Sequence, residues 1–222
     1  MYDYRKWKHV FKINPSKEID DDTLESICES GTDAVMIGGI DGATIDNVLQ
    51  MLVRVRRYMV PCVLEVTNVE MMVPGFDVYF LPMIVNSKDT GWLTGFQYQI
   101  MKEVGDITNW DEVVPMGYCV LDVSSMVGKI TSVTDSVNVD GVIAYARLVE
   151  KFYRFPIFYV DDRNDSMEVV KAVKNTLQHT HIFYCGDGEQ LQEVVKYADT
   201  VIIEDMIYRD IKVALKTVKV VK

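Results

Sequence analysis

Short β-branched and aromatic runs alternate with longer amphipathic stretches along all 222 residues. The strand-like runs fall at 9–14, 34–39, 62–67, 78–85, 117–123, 156–161, 181–186 and 200–205. Most are nearly continuous apolar runs, such as Val35-Met36-Ile37 and Val201-Ile202-Ile203, not polar/apolar alternations. Strands covered on both faces read this way, and such cover comes from helices over a parallel sheet. Helical patterns lie between them at 22–30, 44–58, 89–104, 139–152, 166–178, 190–196 and 208–218. Residues 68–76 contain Pro74 and Gly75 and are too few for a full helix, so the third strand–helix unit is predicted to be degenerate.

Eight strands separated by helices satisfy the right-handed crossover rule and predict one α/β domain, a (β/α)8 TIM barrel over residues 1–222. A doubly wound open sheet is the competitor. Closure is preferred because there are eight units and no G-x-G-x-x-G follows the first strand. In such a barrel, chemistry is built just past the C-terminal ends of the strands.

Composition narrows the possible partners. The chain is 49% apolar and 25% charged, which suits a sizeable core and argues against disorder. A net charge of −10 argues against nucleic-acid binding, which needs a basic face. It leaves room for a small anion held by one lysine or a helix N-terminus. The longest apolar run, 78–85, contains Pro82 and is far short of the roughly 20 residues that span a bilayer. The opening Met1-Tyr2-Asp3-Tyr4-Arg5-Lys6 lacks a signal-peptide stretch, so a cytoplasmic protein is expected. Cys28, Cys62, Cys119 and Cys185 stand far apart and read as buried small residues in a reducing compartment.

Several motifs carry a resemblance. Trp7-Lys8-His9-Val10-Phe11-Lys12-Ile13-Asn14-Pro15 is followed by Ser30-Gly31-Thr32-Asp33-Ala34, Ile37-Gly38-Gly39, Asp46-Asn47-Val48 and Val55-Arg56-Arg57. Next come Val60-Pro61-Cys62-Val63-Leu64-Glu65-Val66, Val73-Pro74-Gly75-Phe76-Asp77, Asn86-Ser87 and Ala144-Tyr145-Ala146. Ile207-Tyr208 and Ala214-Leu215-Lys216-Thr217-Val218 close the series. Together they resemble the heptaprenylglyceryl phosphate synthases, bacterial relatives of the archaeal geranylgeranylglyceryl phosphate synthases, from end to end. The resemblance implies a homodimeric barrel that joins a long prenyl diphosphate to sn-glycerol-1-phosphate through an ether bond, with Mg²⁺ as cofactor and a membrane lipid as product.

Carried over residue by residue, the resemblance makes Lys12 a glycerol-phosphate contact and, with Asp161, the candidate catalytic group. Asn14 and Ile40 take the two Mg²⁺ positions, where the family has Asp and Ser or Thr. Asn14 brings an uncharged oxygen and Ile40 none. The glycerol-phosphate loop after strand six reads Tyr159-Val160-Asp161-Asp162-Arg163-Asn164, against Tyr-x-Glu-Tyr-Ser-Gly in the family. The phosphate cup after strand seven is Cys185-Gly186-Asp187 in place of Gly-Gly-Gly, and Glu204-Asp205 follow strand eight where a Gly would stand. Carboxylates thus enter where a phosphate should lie. Like charges about 4 Å apart repel by about 1 kcal/mol in water and several times that when half buried. Arg163 alone moves the other way.

The expectation is therefore impaired transfer. Two other readings stand beside it. One is an inactive descendant acting as a binding or interaction protein. The other is a different barrel enzyme using the acidic rim (Asp161, Asp162, Asp187, Glu204, Asp205) and a divalent metal. A second, intact copy in the same genome would favour the inactive descendant. Glu65 and Asp122 are further strand-end acids, readable as catalytic carboxylates or as helix caps. Met51, Met71, Met72, Met101, Phe96 and Tyr98 read either as the lining of a prenyl groove or as core filling.

Overall fold

A computed structural model of the chain describes residues 2–163, 166–186 and 190–222. Eight parallel strands close into a barrel in sequence order: β1 (His9–Ile13), β2 (Ala34–Ile37), β3 (Cys62–Glu65), β4 (Val78–Ile84), β5 (Val113–Val120), β6 (Ile157–Asp162), β7 (His181–Gly186) and β8 (Thr200–Ile203). Closure is made where β8 pairs with β1, with Val10 beside Ile202. All eight apolar runs of the sequence are strands. Between β3 and β4 only a single helical turn, Val69–Met71, is present, so the third unit is indeed degenerate.

The strands separate two cores. Val10, Met36, Val63, Phe80, Met116, Tyr159, Phe183 and Ile202 fill the barrel interior. Their neighbours along the strands, such as Phe11, Ile37, Leu64 and Tyr184, pack outward against the helices. Alternation of side chains along each strand produces this division. The helices are positioned by side-chain caps. Asp20 accepts from the Thr23 N–H at the start of α1 (Asp21–Cys28), and Thr44 and Asn47 form a reciprocal capping box at α2 (Ile45–Val55). The remaining α-helices among the described residues are α3 (Phe96–Val104), α4 (Met126–Ile130), α5 (Val139–Arg147), α6 (Met167–Thr176), α7 (Leu191–Val194), α8 (Met206–Arg209) and α9 (Ile211–Val221).

Two differences from the sequence reading have physical causes. β5 begins at Val113, four residues before the expected start, because Pro115 reads as a breaker. β6 pairs with β5 only from Met116 onward, so Pro115 lies before the stretch flanked on both sides. Helix α4 has no periodic signature at five residues. It is set by the Ser125 cap and by Gly128, where a Cβ would come within 2.7 Å of the Asp122 carbonyl.

One buried carboxylate ties the far end of the barrel together. Glu150, beyond α5, accepts from the backbone N–H groups of Gln178, His179 and Thr180 at 2.6, 2.9 and 3.2 Å. Burial opposes its charge, but these donors hold the carboxyl down at about 2. Its contribution is therefore complete above the ordinary glutamate range and is lost as pH falls towards 2. Glu150→Gln is expected to cost about 1–3 kcal/mol at neutral pH, with the deficit shrinking in acid. Urea unfolding of both proteins at pH 7 and pH 3 checks this. An equal deficit at both values would show that charge plays no part.

Candidate functional site at the barrel mouth

The strand ends gather three buried carboxylates around Lys12 and Arg163. Lys12 from β1, Glu65 from β3, Asp161 from β6 and Glu204 after β8 all point inward and are at most 8% exposed. Lys12 Nζ lies 2.8 Å from Glu65 Oε2 and 3.7 Å from Glu204 Oε2. Gly38 makes room for that contact, since a Cβ there would sit 2.6 Å from the Glu65 Cβ. Burial disfavours the Lys12 charge, but Glu204 and Glu65 more than offset this and hold the ammonium above its ordinary range.

Arg163 spans the other side. Its Nη2 is 3.0 Å from Glu204 Oε2, and its Nη1 is 2.7 Å from Asp205 Oδ2. Its Nε lies 3.0 Å from Asp161 Oδ1, at an angle outside that of a hydrogen bond. Lys17 Nζ reaches the other Asp205 oxygen at 3.1 Å. Burial works against the Asp205 charge, yet Arg163 and Lys17 hold its carboxyl below the usual range. The carboxylates after β8 are therefore paired, contrary to the expectation that they stand as bare repelling charges. The chain neighbours of Arg163 do not reveal this, because its partners lie 41 and 42 residues away.

Beneath these ion pairs, the Tyr118 and Tyr159 rings stack at 4.2 Å, with Lys12 Nζ 6.0 and 5.7 Å from their centres. Tyr118 donates to Asp161 Oδ2 at 2.9 Å. Asp161 is only 1% exposed and lies below the guanidinium, away from the open cleft that a reacting hydroxyl would enter. Glu65 Oε1 and the Tyr159 hydroxyl are buried with no hydrogen-bond partner among the described residues. Burial raises both the Glu65 and the Asp161 carboxyl above the usual carboxylate range.

Asp162 is turned to the opposite face of β6, where it accepts from the Ser166 N–H and the Tyr184 hydroxyl. It does not join the site, because adjacent strand residues face opposite sides. Gly186 ends β7 beside Asp162. Asn164 and Asp187 lie outside the described residues.

Above the ion pairs opens a cleft of about 480 Å³, reached by Lys12, Asn14, Ile40, Trp92, Arg163 and Glu204 among others. That volume suits a small-molecule site. A groove with Val69, Trp92, Phe96 and Tyr98 on its lining, along with Gln99, Lys102 and Glu103, adjoins it and shares Thr67 and Trp92. Met51 and Met71 are buried between barrel and helices, whereas Met101 is exposed. Sequence reasoning missed Lys17, Trp92 and Tyr118. Tyr118 sits two residues before Val120, facing the same way, so strand parity was the available signal.

The Mg²⁺ implied by the resemblance does not fit the residues at its two positions. The Asn14 Oδ1 is engaged by the Ser16 N–H at 2.9 Å and the Ser16 hydroxyl at 2.8 Å, and Ile40 offers no oxygen. Among the described residues no group of three or more His, Cys, Asp or Glu is placed to hold a metal ion.

Strand order, closure and a cleft at the C-terminal ends define a (β/α)8 barrel protein with its cleft at the face where such barrels build their sites. Matching over residues 2–222, the chain belongs to the PcrB family. It is 52% identical over 227 aligned positions to the heptaprenylglyceryl phosphate synthase of Bacillus cytotoxicus, covering 100% of this chain and 99% of that protein. The heptaprenylglyceryl phosphate synthase of Bacillus cereus strain AH187 gives the same identity and coverage. Among solved structures, it is similar to (S)-3-O-geranylgeranylglyceryl phosphate synthase from Thermoplasma acidophilum in complex with sn-glycerol-1-phosphate. That match has a TM-score of 0.82 and 19% identity, covering 97% of this chain and 93% of that one. The synthase of the same class from Thermoplasma volcanium gives a TM-score of 0.79 at 18% identity, covering 99% and 94%. These two likenesses bear on the fold. Among the described residues no helix is long and apolar enough to cross a membrane.

Proposed function

We propose that this chain is a prenylglyceryl phosphate synthase in substrate class, directed at a long prenyl diphosphate and sn-glycerol-1-phosphate, with transfer strongly impaired. The substrate class rests on full-length similarity to the two Bacillus synthases. The cleft is a polar mouth beside a groove whose aromatic side offers a slot for a prenyl chain.

The single observation that carries the impairment is the state of the metal positions. Asn14 directs its one oxygen into Ser16, and Ile40 has none, so the residues at both positions leave a diphosphate leaving group unsupported. The buried Asp161 compounds this, because the Arg163 guanidinium covers it and Tyr118 occupies one of its oxygens. A proton acceptor must reach hydrogen-bond distance of the attacking hydroxyl. The comparisons favour neither of the other two readings. The homodimer implied by the resemblance belongs to this proposal and predicts a sedimenting mass of twice the 25.4 kDa chain.

The test is transfer of labelled sn-glycerol-1-phosphate to heptaprenyl diphosphate with Mg²⁺, counting label extracted into organic solvent. The Bacillus cytotoxicus relative is assayed in parallel. A rate at least about a hundredfold below the relative is expected, roughly 2.7 kcal/mol of lost transition-state stabilisation. A rate within about tenfold of the relative would overturn the impairment.

A further inference from the structure

The acids after β8 do more than fill space at the mouth. One oxygen, Glu204 Oε2, is 3.0 Å from the Arg163 Nη2 and 3.7 Å from the Lys12 Nζ. The next residue extends the pattern, with Asp205 Oδ2 on Arg163 Nη1 at 2.7 Å and Asp205 Oδ1 on Lys17 Nζ at 3.1 Å. Two consecutive carboxylates thus distribute their oxygens over three cations gathered from β1, the loop after it and the end of β6. An oxyanion bound between the same cations would make the same set of contacts. Barrel phosphate sites lie in the loops after strands seven and eight, and residues 204 and 205 follow β8 directly.

We propose that Glu204, supported by Asp205, is a tethered anion occupying the oxyanion position of this mouth, so that phosphate-bearing ligands are excluded by occupancy while the cations that would hold them remain in place. The inference rests on the transferase reading for the class of ligand, a phosphomonoester. It goes beyond that reading by naming the residue that decides whether the ligand enters. Its cause differs from loss of the metal positions, because it acts on phosphate alone and needs no prenyl substrate.

Removing Glu204 is compatible with folding. Lys12 keeps Glu65, and Arg163 keeps Asp161 and Asp205. The pocket then loses a like charge at the distance where repulsion is about 1 kcal/mol in water and several times more when half buried. Binding of inorganic phosphate and of sn-glycerol-1-phosphate is measured by isothermal titration at low ionic strength for the natural protein, Glu204→Gln and the Glu204→Ala/Asp205→Ala pair. Both variants are expected to bind each ligand at least about tenfold tighter than the natural protein, with affinity falling as salt is added. Glu204→Gln keeps the side-chain shape and decides the matter if the paired variant does not fold. Folded variants that bind no tighter than the natural protein would overturn the proposal. So would a natural protein that already binds phosphate as tightly as they do. Transfer assays and phosphate titrations fail separately, so either reading can fall while the other stands.

Discussion

Arg163→Met is expected to remove about 3–5 kcal/mol of folding free energy, the usual cost of breaking a buried ion pair from one side. For a domain whose total stability is about 5–15 kcal/mol, that is a large share. The loss follows from what the guanidinium leaves behind: Asp161 at 1% exposure, Glu204 at 8% and the partly buried Asp205. Asp161 already titrates above the ordinary aspartate range because of its burial, and Arg163 is the nearest charge opposing that rise. Without Arg163 the folded state binds protons that the unfolded chain has released. Stability then declines as pH rises through the folded pKa and is greatest in mild acid. Urea unfolding of the variant should show a deficit that grows from pH 5 to pH 8. A flat deficit below about 1 kcal/mol would mean that water, not the guanidinium, satisfies those oxygens.

Lys12→Met should have an effect of the same size, about 3–5 kcal/mol, chiefly through Glu65, with Glu204 shared between the two cations. Its Nζ touches Glu65 Oε2, whose companion Oε1 has no partner among the described residues. Glu65 is raised by burial, with Lys12 the largest influence holding it down. Removal of the ammonium pushes it further up, and the sign is again a loss of stability with rising pH. A second substitution separates charge from packing. In Lys12→Met/Glu65→Gln the uncompensated charge is gone, so most of the lost stability should be recovered, read as a coupling free energy of the double-mutant cycle. Simple additivity of the two single changes would exclude the ion pair as the cause.

The fold was legible because its signal is local. Every strand is an apolar run, helical patterns follow all but the third, and the missing helix after β3 announced itself through Pro74 and Gly75. What failed locally was short or punctuated: α4 with five residues, and the start of β5 around Pro115. The site was legible by residue type and strand end, so Lys12, Asn14, Ile40, Arg163, Glu204 and Asp205 all stand at one mouth. Its wiring was not. Asp162 fell to the wrong face by the parity of one residue, and Asp161 received Tyr118 from 43 positions away. The acids after β8 looked repulsive in sequence because their counter-charge arrives from β6. Pairings of that kind arise from barrel closure, which no window along the chain contains.

The Arg163 network also has a direction in sequence space. Glu204 can be exchanged first, since every cation it touches retains another acid. Arg163 cannot go first, because its departure leaves the buried Asp161 without a cation and Glu204 with only the 3.7 Å contact to Lys12. Paths of single substitutions leading away from this arrangement are therefore ordered, with the acids after β8 leaving before the arginine. A library that randomises both positions should recover the arginine alone far more often than the glutamate alone. The barrel mouth behaves as a ratchet, in which the history of a site is held by which of its charges can survive by itself.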